Sequence, residues 1–76
     1  MSERDVIEGY KKQIEILLRP LYIVKVDTVV NKDSETNAKN KNFIKEKMNR
    51  IYGANVDEKL MNQAIDELLP YLIEVN

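Results

Sequence analysis

Neither histidine nor cysteine occurs among the 76 residues, which removes most of the side-chain chemistry open to a small protein. Nucleophile–base pairs of the Ser–His or Cys–His kind cannot be assembled. A structural zinc site is close to excluded, since its ligands are Cys and His, and no disulfide can form. Ser2 and Ser34 stand at the terminus and in a polar stretch. Asp66 and Glu67 are sequence neighbours, so on a helix they point apart. Gly9 and Gly53 are the only glycines, too few for a glycine-rich phosphate loop. Asn31, Asp33, Glu35 and Asn37 alternate as the first ligands of a calcium loop do. The pattern then fails, with Thr36 where the sharp turn needs Gly and Asn42 where a bidentate Glu belongs. The expectation is a non-enzymatic chain that holds no metal and no cofactor.

Twelve basic and 13 acidic residues leave a formal net charge of −1. Total charge therefore gives no drive toward nucleic acid or an anionic membrane. Its distribution is uneven. Lys39, Lys41, Lys45, Lys47 and Arg50 stand against Glu46, whereas Asp57, Glu58, Asp66, Glu67 and Glu74 stand against Lys59. The basic run could grip phosphates, or it could be one solvated helix face. Nucleic-acid contact through these five residues is the second functional reading, as a small dimeric regulator. In its sharper form a strand over 21–30 pairs with that of a second copy, two helices follow, and outward side chains read the major groove. The outward set would be Ile23, Lys25, Asp27 and Val29, or the alternate set from Tyr22 to Val30. Neither is rich in hydrogen-bond donors, and the first helix has no role.

Size points elsewhere. The chain is long enough for one domain, 1–76, with a modest core. Domains this small usually add a disulfide, a metal or a partner chain, and the first two are missing. Self-association is the remaining route. Ile16, Tyr22, Ile23, Tyr71 and Ile73 exceed what one small core can hide, and surplus apolar surface marks a partner site. The first functional reading is a small protein–protein interaction factor, an adaptor or inhibitor, that binds a protein partner and itself. The N-terminus carries Glu3 and Asp5 rather than a basic leader. The apolar stretch from Ile14 to Val30 contains Glu15, Arg19, Lys25 and Asp27, too many charges to span a bilayer. A cytoplasmic protein without membrane contact is expected. The many Asn, Lys and Ile residues, with A/T-rich codons, suit a low-GC bacterium, its phages or its plasmids.

The elements that must position these residues read as helices. Ser2 followed by Asp5 resembles a capping box, and Val6, Ile7, Tyr10, Ile14, Leu17 and Leu18 recur at helical spacing. Glu8–Lys12 and Glu15–Arg19 are acid-before-base pairs four apart. Pro20 interrupts, making Arg19 a boundary or kink. A seven-residue repeat nevertheless runs on: Ile7, Ile14, Leu21 and Thr28 at one position, Tyr10, Leu17 and Val24 at the other. The β-branched run from Ile23 to Val30 argues for a strand instead. The expected fold is all-α, a small bundle with its N-terminal helix kinked at Pro20. The alternative is α+β, with a strand at 21–30 pairing across a dimer. Residues 31–42 read as a polar, exposed linker. Beyond it Ile44, Met48, Ile51 and Tyr52 form one stripe, Gly53 ends that helix, and Asn55 or Asp57 caps the next. Val56 and Met61 suit a hydrophobic staple. Leu60, Met61, Ala64, Ile65, Leu68 and Leu69 complete a helix hairpin that Pro70 ends or bends.

Overall fold

Ser2 starts the first helix. Its hydroxyl accepts a hydrogen bond from the Asp5 amide at 3.2 Å, satisfying one of the orphan donors of the first turn. Glu3 and Asp5 place negative charge where the helix dipole favours it. The computed structural model describes residues 2–19, 21–25, 29 and 32–74. Within them α1 spans Glu3–Leu18, β1 Tyr22–Val24, α2 Ser34–Tyr52, α3 Glu58–Leu68 and β2 Leu72–Glu74. Single 3₁₀ turns, Gly53–Asn55 and Leu69–Tyr71, precede α3 and β2. The protein is a small three-helix bundle carrying a two-stranded antiparallel sheet.

α1 buries Ile7, Tyr10, Ile14 and Leu18, spaced three and four apart along one face. It stops at Leu18 instead of continuing as a kinked helix. Arg19 is extended, at φ −69° and ψ 140°, the region into which a following proline pushes its neighbour. The seven-residue repeat therefore does not continue: Leu21 is 43 % exposed, and Val24 lies in a strand. β1 realises the strand alternative in part, but its partner is within the chain. Tyr22 lies opposite Glu74, Ile23 opposite Ile73 and Val24 opposite Leu72. Pro20, Val26, Asp27, Thr28, Val30 and Val75 lie outside the described residues.

The expected linker is mostly helix. Of residues 31–42, Ser34 onward belongs to α2, while Asn31 lies outside the described residues. Asp33 caps the helix, accepting the Thr36 amide at 2.7 Å. Its carboxyl, held by the Thr36 side chain and amide, titrates below the usual aspartate range. So the acids that resembled calcium ligands open a helix. What hid the first two turns is Asn40. It is the one buried polar residue among those described, and it begins the inward stripe that Ile44 and Met48 continue.

The hairpin forms as its residues suggest. Gly53 sits at φ 56°, ψ −129° and its amide bonds the Asn49 carbonyl. Asp57 caps α3 through the Leu60 amide at 3.3 Å. Val56 and Met61 occupy the two staple positions; Met61 belongs to the core and the partly buried Val56 packs against it. α1 crosses α3 instead of lying along it. The Tyr10 hydroxyl accepts the Asp57 amide at 3.0 Å, while Lys11 reaches Glu67 at the other end of α3, at 3.2 Å. Ile14, Met48, Met61, Ala64 and Ile65 are fully buried around the crossing. Tyr10 also meets Tyr52 edge-on, with ring centroids 5.4 Å apart. Lys32 donates to the Leu69 carbonyl at 3.1 Å, closing the end of α3. Its own burial lowers the ammonium pKa.

Two charged clasps bind the helices. Arg4 donates from both terminal nitrogens to Glu67, one of them at 3.0 Å, and also bonds Glu8. Lys11 and Gln63 complete the set on Glu67. Lys41 of α2 meets Asp66 of α3 at 2.9 Å. These groups are partly or largely exposed, so each pair contributes modestly; bidentate geometry adds direction.

Three outcomes follow from these arrangements. Replacing Gly53 by Ala should destabilise the fold by about 1–3 kcal/mol through backbone strain alone, because no atom lies within 4 Å of the added Cβ. Gly9, helical and exposed with the same open space, should give the opposite sign on mutation to Ala, a gain of about 0.5–1 kcal/mol. Urea denaturation of both variants checks the pair. Acid titration tests the clasp. Arg4 holds the Glu67 carboxyl down at about 2, against an ordinary 4.5. A depressed folded-state pKa means stability that is present above 4.5 and lost as pH falls from there toward 2. Wild type should therefore exceed Glu67→Gln in stability at pH 6. That difference should vanish by pH 2, and a constant difference would refute the assignment.

Candidate protein interface

A strand sends alternate side chains to opposite faces. In β1, Tyr22 and Val24 turn inward and pack on the core, as does the buried Leu72 of β2. Ile23 and Ile73 lie opposite one another, so they share the outer face. Ile23 is 42 % exposed and Ile73 half-buried. The ribbon thus presents a cross-strand isoleucine pair to solvent.

The backbone of the ribbon alternates too. The Lys25 amide donates to the Tyr71 carbonyl at 3.0 Å. In an antiparallel ladder that sets the parity: Ile23 and Lys25 point their backbone groups toward β2, while Tyr22 and Val24 point theirs away. Among the described residues, therefore, β1 has an open edge with no strand paired to it. Beside that edge is a groove of about 230 Å³, lined by Glu15, Arg19, Tyr22, Ile23 and Val24. Its wall is the C-terminal end of α1. Neither Glu15 nor Arg19 forms an ion pair among the described residues.

The five apolar residues picked out in the sequence divide. Ile23 and Ile73 come together on the ribbon. Tyr22 faces in, and its hydroxyl donates to the Asn40 side-chain oxygen at 3.2 Å. It is half-buried and satisfies the buried amide of α2. Tyr71, half-buried, precedes β2 in the 3₁₀ turn. Ile16 is 58 % exposed, opposite the buried stripe of α1 and outside the groove. Val29 is exposed as well, and so are Leu21 and Ile51, which the seven-residue seam and the apolar stripe of the next helix had placed inward. Ile51 fits the helical stripe of α2 by spacing, yet the helix ends before anything covers it.

The five basic residues do not share one face. At about 100° per residue, Lys39, Lys47 and Arg50 fall on one flank of α2 and Lys41 and Lys45 on the other. The buried stripe of Asn40, Ile44 and Met48 runs between them. Lys41 is paired with Asp66 and Arg50 with Glu46. Lys47 stands over the Phe43 ring, 5.4 Å from its centre. No helix among the described residues is long and apolar enough to cross a membrane.

The fold is that of a small helical bundle with a ribbon at one end. No protein-family model, curated protein or solved structure matches this chain.

Tyr22 and Ile23 should respond differently to mutation. Tyr22→Phe removes the hydroxyl that satisfies Asn40 and should cost about 1 kcal/mol of stability. Ile23→Thr keeps a β-branched residue at an exposed site and should stay within about 0.5 kcal/mol of wild type. Thermal and urea unfolding of the two variants provide the comparison; equal losses would contradict the inward and outward placement.

Proposed function

We propose that this chain is a small non-enzymatic protein–protein interaction factor, an adaptor or inhibitor, that self-associates through its β-ribbon. The observation that carries the reading is the Ile23–Ile73 pair on the solvent side of a ribbon whose other side is occupied by the core. Isolated exposed apolar residues are ordinary. Two directly opposed on a short sheet with an open edge make an apolar contact surface next to unpaired backbone groups. Chain length supports the same reading. Seventy-six residues without cysteine gain stability from a partner chain more readily than from a larger core. The nucleic-acid reading draws less support, since its basic residues fall on two flanks and two of them are neutralised by acids. A cytoplasmic setting in a low-GC bacterium, or in one of its phages or plasmids, fits the cysteine-free, Asn- and Lys-rich composition.

Sedimentation equilibrium tests the proposal. The wild-type chain should show a dimer whose dissociation constant lies in roughly the micromolar to hundred-micromolar range of a small interface. Ile23→Thr should weaken it several-fold with unchanged helical circular dichroism. A wild-type chain that remains monomeric throughout removes the self-association. A dimer indifferent to Ile23→Thr moves the contact away from the ribbon.

A further inference from the structure

We infer that the partner seated on the open edge of β1 is the β1 strand of a second copy, running antiparallel about a two-fold axis at Ile23. The inference rests on the self-association proposed above and specifies its geometry. Three features on this edge make it self-complementary, as an isologous contact must be.

The first is the backbone. Tyr22 and Val24 point their amide and carbonyl groups outward, one on each side of Ile23. An antiparallel copy centred on Ile23 brings Tyr22 opposite the Val24 of its mate. Each such pair exchanges two hydrogen bonds, so every outward group of β1 is satisfied at once. The second is the apolar side chain between them. Ile23 of one copy then faces Ile23 of the other as a non-hydrogen-bonded pair, the closer of the two antiparallel spacings. The strands in space run β2, β1, β1, β2, and the outer isoleucines of both copies become one continuous apolar strip. The inner faces stay on their own cores, so neither copy must unfold to dock.

The third feature is charge. Glu15 and Arg19 line the groove beside the edge, and neither is committed to an ion pair among the described residues. A two-fold operator offers the acid of each copy to the base of the other. An extended peptide from a different protein could use the same backbone groups. It would have no reason to carry the matching acid and base, nor to centre on Ile23.

The sequence limits the ladder. Position 20 would be the next to pair in register, and a proline there has no amide to donate. The pairing is therefore short.

Cysteine scanning tests this in the full chain, which contains no cysteine of its own. In the proposed dimer the two Ile23 Cα atoms stand about 4.5 Å apart, inside the span a disulfide accepts. Mild oxidation of folded Ile23→Cys should give a covalent dimer at least about tenfold faster than Ile73→Cys or Ile51→Cys. The Ile73 positions lie about three strand spacings apart, near 14 Å. Amide exchange on unmodified protein gives a second readout. Exchange at Tyr22 and Val24 should slow as protein concentration rises. Glu15→Arg and Arg19→Glu should each weaken the dimer, and the double exchange should restore it. A dimer that is lost with Ile23→Thr, yet links Ile73→Cys as readily as Ile23→Cys, would overturn edge pairing while leaving ribbon-mediated association in place. So would Tyr22 and Val24 amides that ignore concentration. A chain that never dimerises overturns both.

Discussion

The pairing of Tyr22–Val24 with Leu72–Glu74 ties the tail of α1 to the tail of α3. These two helices form the crossing around which most of the core is buried. A chain of this length without cross-links must find a closure of that kind among its own residues. Leu18 and Leu72, both buried, bring the ends of α1 and β2 into the same core. Lys32, bonded to the Leu69 carbonyl, anchors the approach to α2 at the end of α3. Remove the ribbon, and α1 retains its crossing contacts and the Arg4 clasp but loses the covering of its last turn.

A two-stranded ribbon of three residues per strand has little stability of its own in water. It persists here because Tyr22, Val24 and Leu72 lie on the bundle. The same residue types that suit a strand leave isoleucine on the other side, since β-branched side chains are what hold such short strands extended. The exposed pair Ile23–Ile73 is thus partly a consequence of building a strand at all. What makes it more than that is the edge beside it, where the outward backbone of β1 adjoins the apolar side chain.

The α2–α3 hairpin was legible because its signals are local. Gly53, Asp57, Val56 and Met61 each act within a few residues of their own position. α1 was legible for the same reason, from its Ser2 cap to the break before Pro20. Two features were not. The strand at Tyr22–Val24 depends on residues 50 positions away, and a seam at period seven competed with it. Only the C-terminal strand, invisible as such beside Pro70, decides between them. The first turns of α2 read as linker because an asparagine holds the inward position. Asn40 is tolerable there only because Tyr22 supplies its hydrogen bond, and that tyrosine is itself placed by the ribbon. The apolar surplus was visible in composition. Which of its members faced outward depended on strand parity, so Tyr22 turned in while Ile23 turned out.

The charged surfaces favour the ribbon over the helices as the place for the proposed association. Glu67 gathers Arg4, Lys11 and Gln63 on the flank where α1 crosses α3, and Lys41–Asp66 occupies the join of α2 and α3. A partner covering either flank would strip water from ions whose mutual attraction only partly offsets that loss. Along β1 the groups to be covered are neutral amides and carbonyls with an isoleucine between them. Pairing exchanges their bonds to water for bonds to protein at little net cost, and the isoleucine contributes apolar burial. The two charges nearby, Glu15 and Arg19, sit at the rim of the groove, where they remain partly hydrated. Rim charges of that kind set register and partner choice more than affinity, which is the role the proposed short pairing requires.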